Sequence, residues 1–209
     1  EEDLLTPAAN RSWANLLKRP LVALPLFLFL VTLLWSRNRF GALSGGALPE
    51  QPNGVSDIWD IYFRGWHSIA MGTSAAAPPW LAVVAIFATP LLGSVKFFIV
   101  ALFFLAPLAM ATTLHMLLKR LSDNRWLTAS SAVLYAISPV AISAINSGRL
   151  ATVIILILLP LLVIAASGWH DVEKFSWRRI SVVSLLVAIL AAFSPIIFLF
   201  GLALTGIAI

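Results

Sequence analysis

The residues best suited to chemistry are gathered in one short segment, SDIWDIYFRGWHS, residues 56–68. Its two carboxylates, Asp57 and Asp60, are candidates for a general base that takes a proton from a hydroxyl group. Arg64 supplies a guanidinium, whose planar array of donors matches phosphate oxygens. His67 adds an imidazole that is a weaker candidate for a base or ligand, because a hydrogen-bonded histidine at a membrane interface explains it better.

The same segment is predicted to form a helix that places these groups on one face. Asn53-Gly54 is a strong turn signal, Ser56 is a good N-cap, and Asp57 suits the positive end of a helix that continues to Gly72. Four ionisable side chains and a methionine then form one stripe, which consists of Asp57, Asp60, Arg64, His67 and Met71. The structural alternative is a dipole partner at Asp57 and an ordinary salt bridge between Asp60 and Arg64.

The remainder of the chain is typical of a polytopic membrane protein. Of its 209 residues, 60% are hydrophobic and only 11% are charged, whereas a soluble domain has about 25% charged residues. We therefore expect an all-α bundle of membrane helices. The predicted spans are residues 20–36, 94–118, 127–145, 150–167 and 180–200. Residues 78–92 are short and proline-rich, so we expect them to form a re-entrant or interfacial segment that is buried in protein.

The basic residues orient this bundle. If residues 78–92 do not cross, nine of the 14 lysines and arginines lie on the cytoplasmic side, as the positive-inside rule requires. The prediction is a multi-pass protein of the plasma membrane, with residues 1–19 as a cytoplasmic linker and residues 37–79 as a long outside loop. The net charge of +5 reflects this anchoring, so we expect no nucleic-acid partner. Because the chain lacks an initial methionine and ends within an apolar run, we interpret it as part of a longer protein.

The outside face contains few groups that could carry chemistry. The acids predicted to lie there are Glu50, Asp57 and Asp60. Arg149 is the only charge in the turn AINSGRLATV, where it is either a snorkelling interfacial arginine or a contact to phosphate. Arg39 and Arg64 are predicted on the same face, which suits an anionic group such as a lipid-linked phosphate. The sequence has no cysteine and no motif that indicates a metal or nucleotide site. The cofactor therefore stays open, and a need for a divalent metal is one of the alternatives.

Several phrases, taken in order, resemble a known group of proteins. They are GGALPEQPNGVSDIWDIYFRGWH, APPW, SSAVLYAISPVAIS, NSGRLAT and AAFSPIIFLF. Together they resemble the membrane part of actinobacterial cell-envelope glycosyltransferases of the GT-C type, which include the large arabinofuranosyltransferases. They are similar also to the multi-span region that follows a cytoplasmic family 2 glycosyltransferase domain in some large actinobacterial proteins.

The resemblance implies transfer of a sugar from a polyprenyl-phosphate donor to a cell-envelope polysaccharide on the outer face. It assigns the catalytic carboxylate to Asp57 or Asp60, with Asp57 preferred because it opens the helix. The adjacent acidic pair of the GT-C type is absent, since these acids are three residues apart. A family 2 fusion would instead place catalysis in an upstream soluble domain. The alternatives are then a non-catalytic module that binds or flips a lipid carrier, or an accessory subunit of a membrane complex.

Overall fold

The computed structural model describes residues 20–36, 46–48, 52, 54–64, 74, 76–167, 177–196 and 198–199. These residues are mostly helical (79%) and contain no strand, so the predicted all-α fold class is confirmed. The helices of the described part are α1 Pro20–Ser36, α2 Val55–Phe63, α3 Pro79–Ala88, α4 Val95–Leu118, α5 Arg125–Ala136, α6 Pro139–Asn146, α7 Leu150–Ala166 and α8 Trp177–Phe193.

Two helical segments of the described chain are long and apolar enough to cross a membrane. The first is Val95–Leu118, with 24 residues, and the second is Arg125–Asn146, with 22 residues. At about 1.5 Å per residue, each exceeds the roughly 30 Å of a hydrocarbon core. Shorter apolar helices are Pro79–Ala88, Leu150–Ala166 and Ile180–Phe193.

The second of these segments is interrupted between α5 and α6. Pro139 opens α6, and Ser138 before it has an extended backbone (φ −59°, ψ 152°). Proline has no N–H and disfavours helical backbone in the residue that precedes it, which explains the break. The Tyr135 hydroxyl donates to the Leu156 carbonyl at 2.9 Å, so the end of α5 is joined to α7.

Helix α4 is central, since it packs against α1, α3, α5 and α7. Fully buried side chains such as Leu28, Ile99, Met110 and Val153 fill the space between these helices. The chain turns back after α4 and again after α6, so α4 and α7 run in the same direction. Both therefore begin at one end of the bundle, which we call the loop end and define by the turns at residues 91–94 and 147–149.

The segment before α2 is fastened to the loop end by two backbone hydrogen bonds. The Ala47 N–H donates to the Ser147 carbonyl at 2.8 Å, and the Val55 N–H donates to the Gly93 carbonyl at 3.0 Å. Gly46 has a φ of +65°, and a Cβ built there would lie 2.6 Å from the Ser147 carbonyl oxygen. Only glycine is therefore compatible with this close approach.

Helix α2 is shorter than the sequence indicated. It begins at Val55 with Gly54 as its N-cap and ends at Phe63, since Arg64 is already extended (φ −75°, ψ 129°). The predicted N-cap at Ser56 and the predicted continuation to Gly72 are therefore wrong. The helix starts early because the Val55 N–H is bound to the Gly93 carbonyl. It ends close to Gly65 of the sequence, and glycine is a poor helix former.

Candidate functional site

The carboxylates of helix α2 are exposed on the surface of the bundle. Ile58 is completely buried in the core, and Trp59 and Ile61 pack against it. Asp57 and Asp60 are exposed. Because they are three residues apart, the two carboxylates lie on one exposed face of the helix.

Asp57 is engaged with the start of its own helix. Its Oδ2 accepts a hydrogen bond from the Gly54 N–H at 3.3 Å. The residue occupies the third position of the helix, where a carboxylate satisfies a backbone donor and complements the helix dipole. Asp57 therefore has a capping role, and its exposed carboxylate has further acceptor positions for a substrate hydroxyl.

Asp60 and Arg64 form an ion pair. The Arg64 Nη2 donates to the Asp60 Oδ2 at 2.8 Å, and both side chains are largely exposed. Exposed pairs with this spacing contribute about 0.3–0.5 kcal/mol. The pair is therefore easily opened by a ligand, and the ordinary salt bridge that the sequence offered as the structural alternative is present.

Three aromatic rings stand beside the carboxylates, and their mutual contact was missed in the sequence. Trp59 and Phe63 stack with ring centroids 5.8 Å apart, while Tyr62 meets both rings edge-on. Phe63 is 80% exposed. The spacing i, i+3 and i+4 is the signal that places such side chains together on one helix. Trp59 packs against the core, and the exposed rings of Tyr62 and Phe63 suit a membrane interface.

Arg149 lies at the same end of the bundle. It occupies the N-cap position of α7 with its side chain exposed and without a side-chain capping bond. Its N–H donates to the Ala144 carbonyl at 2.8 Å, which closes the turn that also receives Ala47. The structure therefore brings Arg149 and the start of α2 to the loop end through two different loop contacts.

Three other predicted site residues, Arg39, Glu50 and His67, lie outside the described residues. The same holds for Met71 and for the predicted linker at residues 1–19. Of the predicted stripe, the described structure contains Asp57, Asp60 and Arg64.

An apolar cavity of about 180 Å³ lies between α3, α4, α7 and α8. Its lining is entirely apolar and includes Val84, Phe87, Phe98, Leu102, Ile157 and Phe193. The rings of Phe87 and Phe98 stack at 6.4 Å and form part of its wall. The wall begins at Ile154, about 7.5 Å along α7 from Arg149. A cavity without polar groups suits a hydrocarbon chain and offers nothing to a polar ligand.

Helix α3 is the short apolar element of the predicted re-entrant segment. Its ten residues extend about 15 Å, half of a hydrocarbon core. The chain reverses at residues 89–93, where Leu92 and Gly93 both have positive φ, and Ser94 caps α4. Leu81, Val84 and Ala85 are buried, so one face of the helix is covered by protein, whereas Ile86 and Phe87 are exposed.

Within the described ranges, no group of three histidine or acidic side chains is placed to hold a metal ion. No protein-family model, no curated protein and no solved structure matches the chain. Its function is therefore inferred from its own residues and their geometry.

Proposed function

We propose that this chain is the membrane part of a glycosyltransferase that uses a polyprenyl-phosphate-linked sugar as donor and a cell-envelope polysaccharide as acceptor. The observation that carries the proposal is that three features share the loop end. The exposed carboxylates of α2 and the exposed arginine at the start of α7 lie at the same end of the bundle as an apolar cavity. A lipid phosphate with a sugar attached has the chemistry that these three features complement.

The proposal includes a multi-pass bundle in the plasma membrane with the loop end outside. In addition to the two candidate spans, α1, α7 and α8 each have 17 residues, the lower limit for crossing a bilayer. Helix α1 supports this, because the exposed ones among its described side chains are large and apolar: Leu26, Phe27, Phe29, Leu30 and Leu33. Such a patch is unfavourable in water and suits contact with membrane lipids.

In this mechanism a carboxylate of α2, with Asp57 preferred, removes the proton from an acceptor hydroxyl. The hydroxyl oxygen forms a bond to the anomeric carbon of the donor sugar. The bond between that carbon and the phosphate oxygen breaks, and polyprenyl phosphate leaves with the bonding electrons. Arg149 stabilises the phosphate charge through hydrogen bonds that suit a guanidinium.

In this proposal the chain of the donor lipid occupies the apolar cavity. A phosphate at Arg149 would have the first isoprenoid units against the apolar side chains one to three turns along α7. Burial of each methylene group contributes about 0.8 kcal/mol, so a few units are enough to position the donor.

A second candidate function is a non-catalytic module that binds or flips the lipid carrier. It is favoured by one observation, that both described carboxylates of α2 have structural partners: Asp57 binds Gly54 and Asp60 binds Arg64. An upstream soluble glycosyltransferase domain would then perform the transfer. If the chain is instead an accessory subunit of a membrane complex, the carboxylates of α2 would likewise have no catalytic role.

Transfer from a radiolabelled polyprenyl-phosphate sugar, measured in membranes that contain the full chain, separates these functions. The double variant Asp57→Asn/Asp60→Asn should lose about 10²–10⁴-fold in rate, the range of a general base, while donor binding persists. Asp123→Asn, at the other end of the bundle, is the matched control. Full transfer by the double variant would exclude catalysis by α2 and favour the non-catalytic module.

A further inference from the structure

The end of the bundle opposite the candidate site carries a cationic cluster that the proposed mechanism does not use. We call it the basic end and define it by four exposed residues, Lys119, Arg120, Arg125 and Arg178. Asp123 is the acid that accompanies them among the described residues. The loop end, by contrast, has two described acids for its three described cations, so its charge is nearly balanced.

The four cations come from separate parts of the chain that the fold brings together. Lys119 and Arg120 end α4, and Arg125 begins α5. Arg178 lies in the first turn of α8. The last turns of α8 line the apolar cavity with the first turns of α7, so the two helices are antiparallel and α8 begins at the basic end.

One member of the cluster is fixed across helices. The Arg120 Nη1 donates to the Ile164 carbonyl at 3.3 Å, which ties the turn after α4 to the last turn of α7. The turn itself is ordered by backbone bonds, from the Lys119 N–H to the His115 carbonyl and from the Ser122 N–H to the Leu118 carbonyl, each at 2.9 Å. The backbone groups of the turn are thus hydrogen-bonded within the protein. Its charged side chains are therefore the groups that can bind a partner.

Large apolar side chains accompany the charges. Leu121 is 75% exposed, Trp126 is 56% exposed and Trp177 is 77% exposed. A soluble anion offers nothing to these side chains. Tryptophan beside lysine and arginine is typical of the level of lipid headgroups, where the ring contacts acyl chains and the cations contact phosphates.

We propose that the basic end binds the headgroups of anionic phospholipids, with Trp126 and Leu121 seated at the boundary between headgroups and acyl chains. The proposal rests on the membrane placement proposed above but not on catalysis. It adds a lipid site distinct from the donor site, since the two lie at opposite ends of α4. Its specificity is for negative charge, because each cation near an anionic surface favours binding by about fivefold, equivalent to about 1 kcal/mol.

The test is quenching of tryptophan fluorescence in nanodiscs that contain the purified full chain. The discs consist of phosphatidylcholine with a fraction of brominated lipid, either phosphatidylglycerol or phosphatidylcholine. The difference between the native chain and Trp126→Phe isolates the Trp126 signal. We expect the brominated phosphatidylglycerol to associate at least about fivefold more strongly than the brominated phosphatidylcholine.

Lys119→Gln/Arg125→Gln should reduce this ratio by at least about fivefold, while Arg120 and its bond to Ile164 remain in place. Lys96→Gln, at the loop end, is the matched control and should keep the ratio. An equal response to both lipids in the native chain would overturn the proposal, as would an unchanged ratio in the double variant. Loss of the ratio on addition of inorganic phosphate would overturn it in favour of a site for soluble anions.

The phosphatidylcholine response separates this proposal from the proposed function. If neither brominated lipid quenches Trp126, the headgroup site and the placement of this end in a membrane both fail. If quenching shows the expected preference but Asp57→Asn/Asp60→Asn retains full transfer, only catalysis by α2 fails.

Discussion

Asp57 Oδ2 lies 3.3 Å from the backbone nitrogen of Gly54, so the carboxylate that we propose as the base also holds the first turn of its own helix. The two roles are compatible because a carboxylate accepts several hydrogen bonds at once. They also mean that loss of activity on substitution has two sources, a missing base and a loosened helix. The variants below separate the two.

Removal of the capping carboxylate should loosen α2. We expect Asp57→Ala to destabilise the first turn by about 0.5–2 kcal/mol, as loss of a cap does. Hydrogen exchange at the amides of residues 55–60 measures this. Ser56→Ala is the control, since Ser56 is exposed and makes no capping bond. Equal loosening in the control would restore Ser56 as the cap.

Exchange of the charges in the Asp60–Arg64 pair should preserve activity if Asp57 is the base. Asp60→Arg/Arg64→Asp keeps the i,i+4 spacing and the ion pair, whereas Asp60→Arg alone places two cations side by side. We expect transfer by the double variant to remain within about threefold of the native rate, because an exposed pair contributes little. A loss of about a hundredfold or more in the kcat of the double variant, with an unchanged KM for the donor, would identify Asp60 as the base instead.

Arg149 should act on donor binding. Loss of a hydrogen bond to a charged group costs about 1.5–3 kcal/mol, so Arg149→Gln should raise the KM for the polyprenyl-phosphate donor about 10–100-fold. Arg149→Lys should recover part of this, because lysine keeps the charge but not the two-pronged geometry. Lys96→Gln serves as the control at the same end. An unchanged KM in Arg149→Gln would leave Arg149 as an interfacial anchor.

A tryptophan in the apolar cavity should discriminate between donors by chain length. Ile157→Trp fills part of the roughly 180 Å³ space, so we expect weaker binding of long polyprenyl donors and little change for a donor with one isoprenoid unit. Val163→Trp, on the exposed side of the same helix, is the control. The ratio of KM values for the two donors is the readout. An equal effect on both donors would show that the chain lies elsewhere.

The sequence predicted helix boundaries correctly where residues within the same segment determine them. The predicted run at residues 94–118 coincides with Val95–Leu118, since Ser94 caps the helix and its Oγ accepts from the Phe97 N–H. The boundaries of α2 could not be predicted from its own residues. Its start depends on a bond from Val55 to Gly93, a contact between residues far apart in the sequence.

The candidate site also has features that the sequence predicts and features that it does not. The exposure of Asp57 and Asp60 and their shared face follow from helical periodicity, and so does the Asp60–Arg64 pair. The approach of Arg149 to the same end, the reciprocal bond of Asp57 to Gly54 and the cavity depend on how distant helices pack. No pattern within one segment contains that information.

The hydrogen bond between Ala47 and Ser147 joins residues that are 100 positions apart. During synthesis it cannot form until the turn before α7 has been made, whereas the bond between Val55 and Gly93 can form about 50 residues earlier. Helix α2 can thus be attached to the start of α4 before residues 46–48 are bound to the turn at residues 147–149. The loop end is therefore completed in two stages, and a chain truncated before α7 would carry both carboxylates without Arg149, the arginine of the proposed reaction.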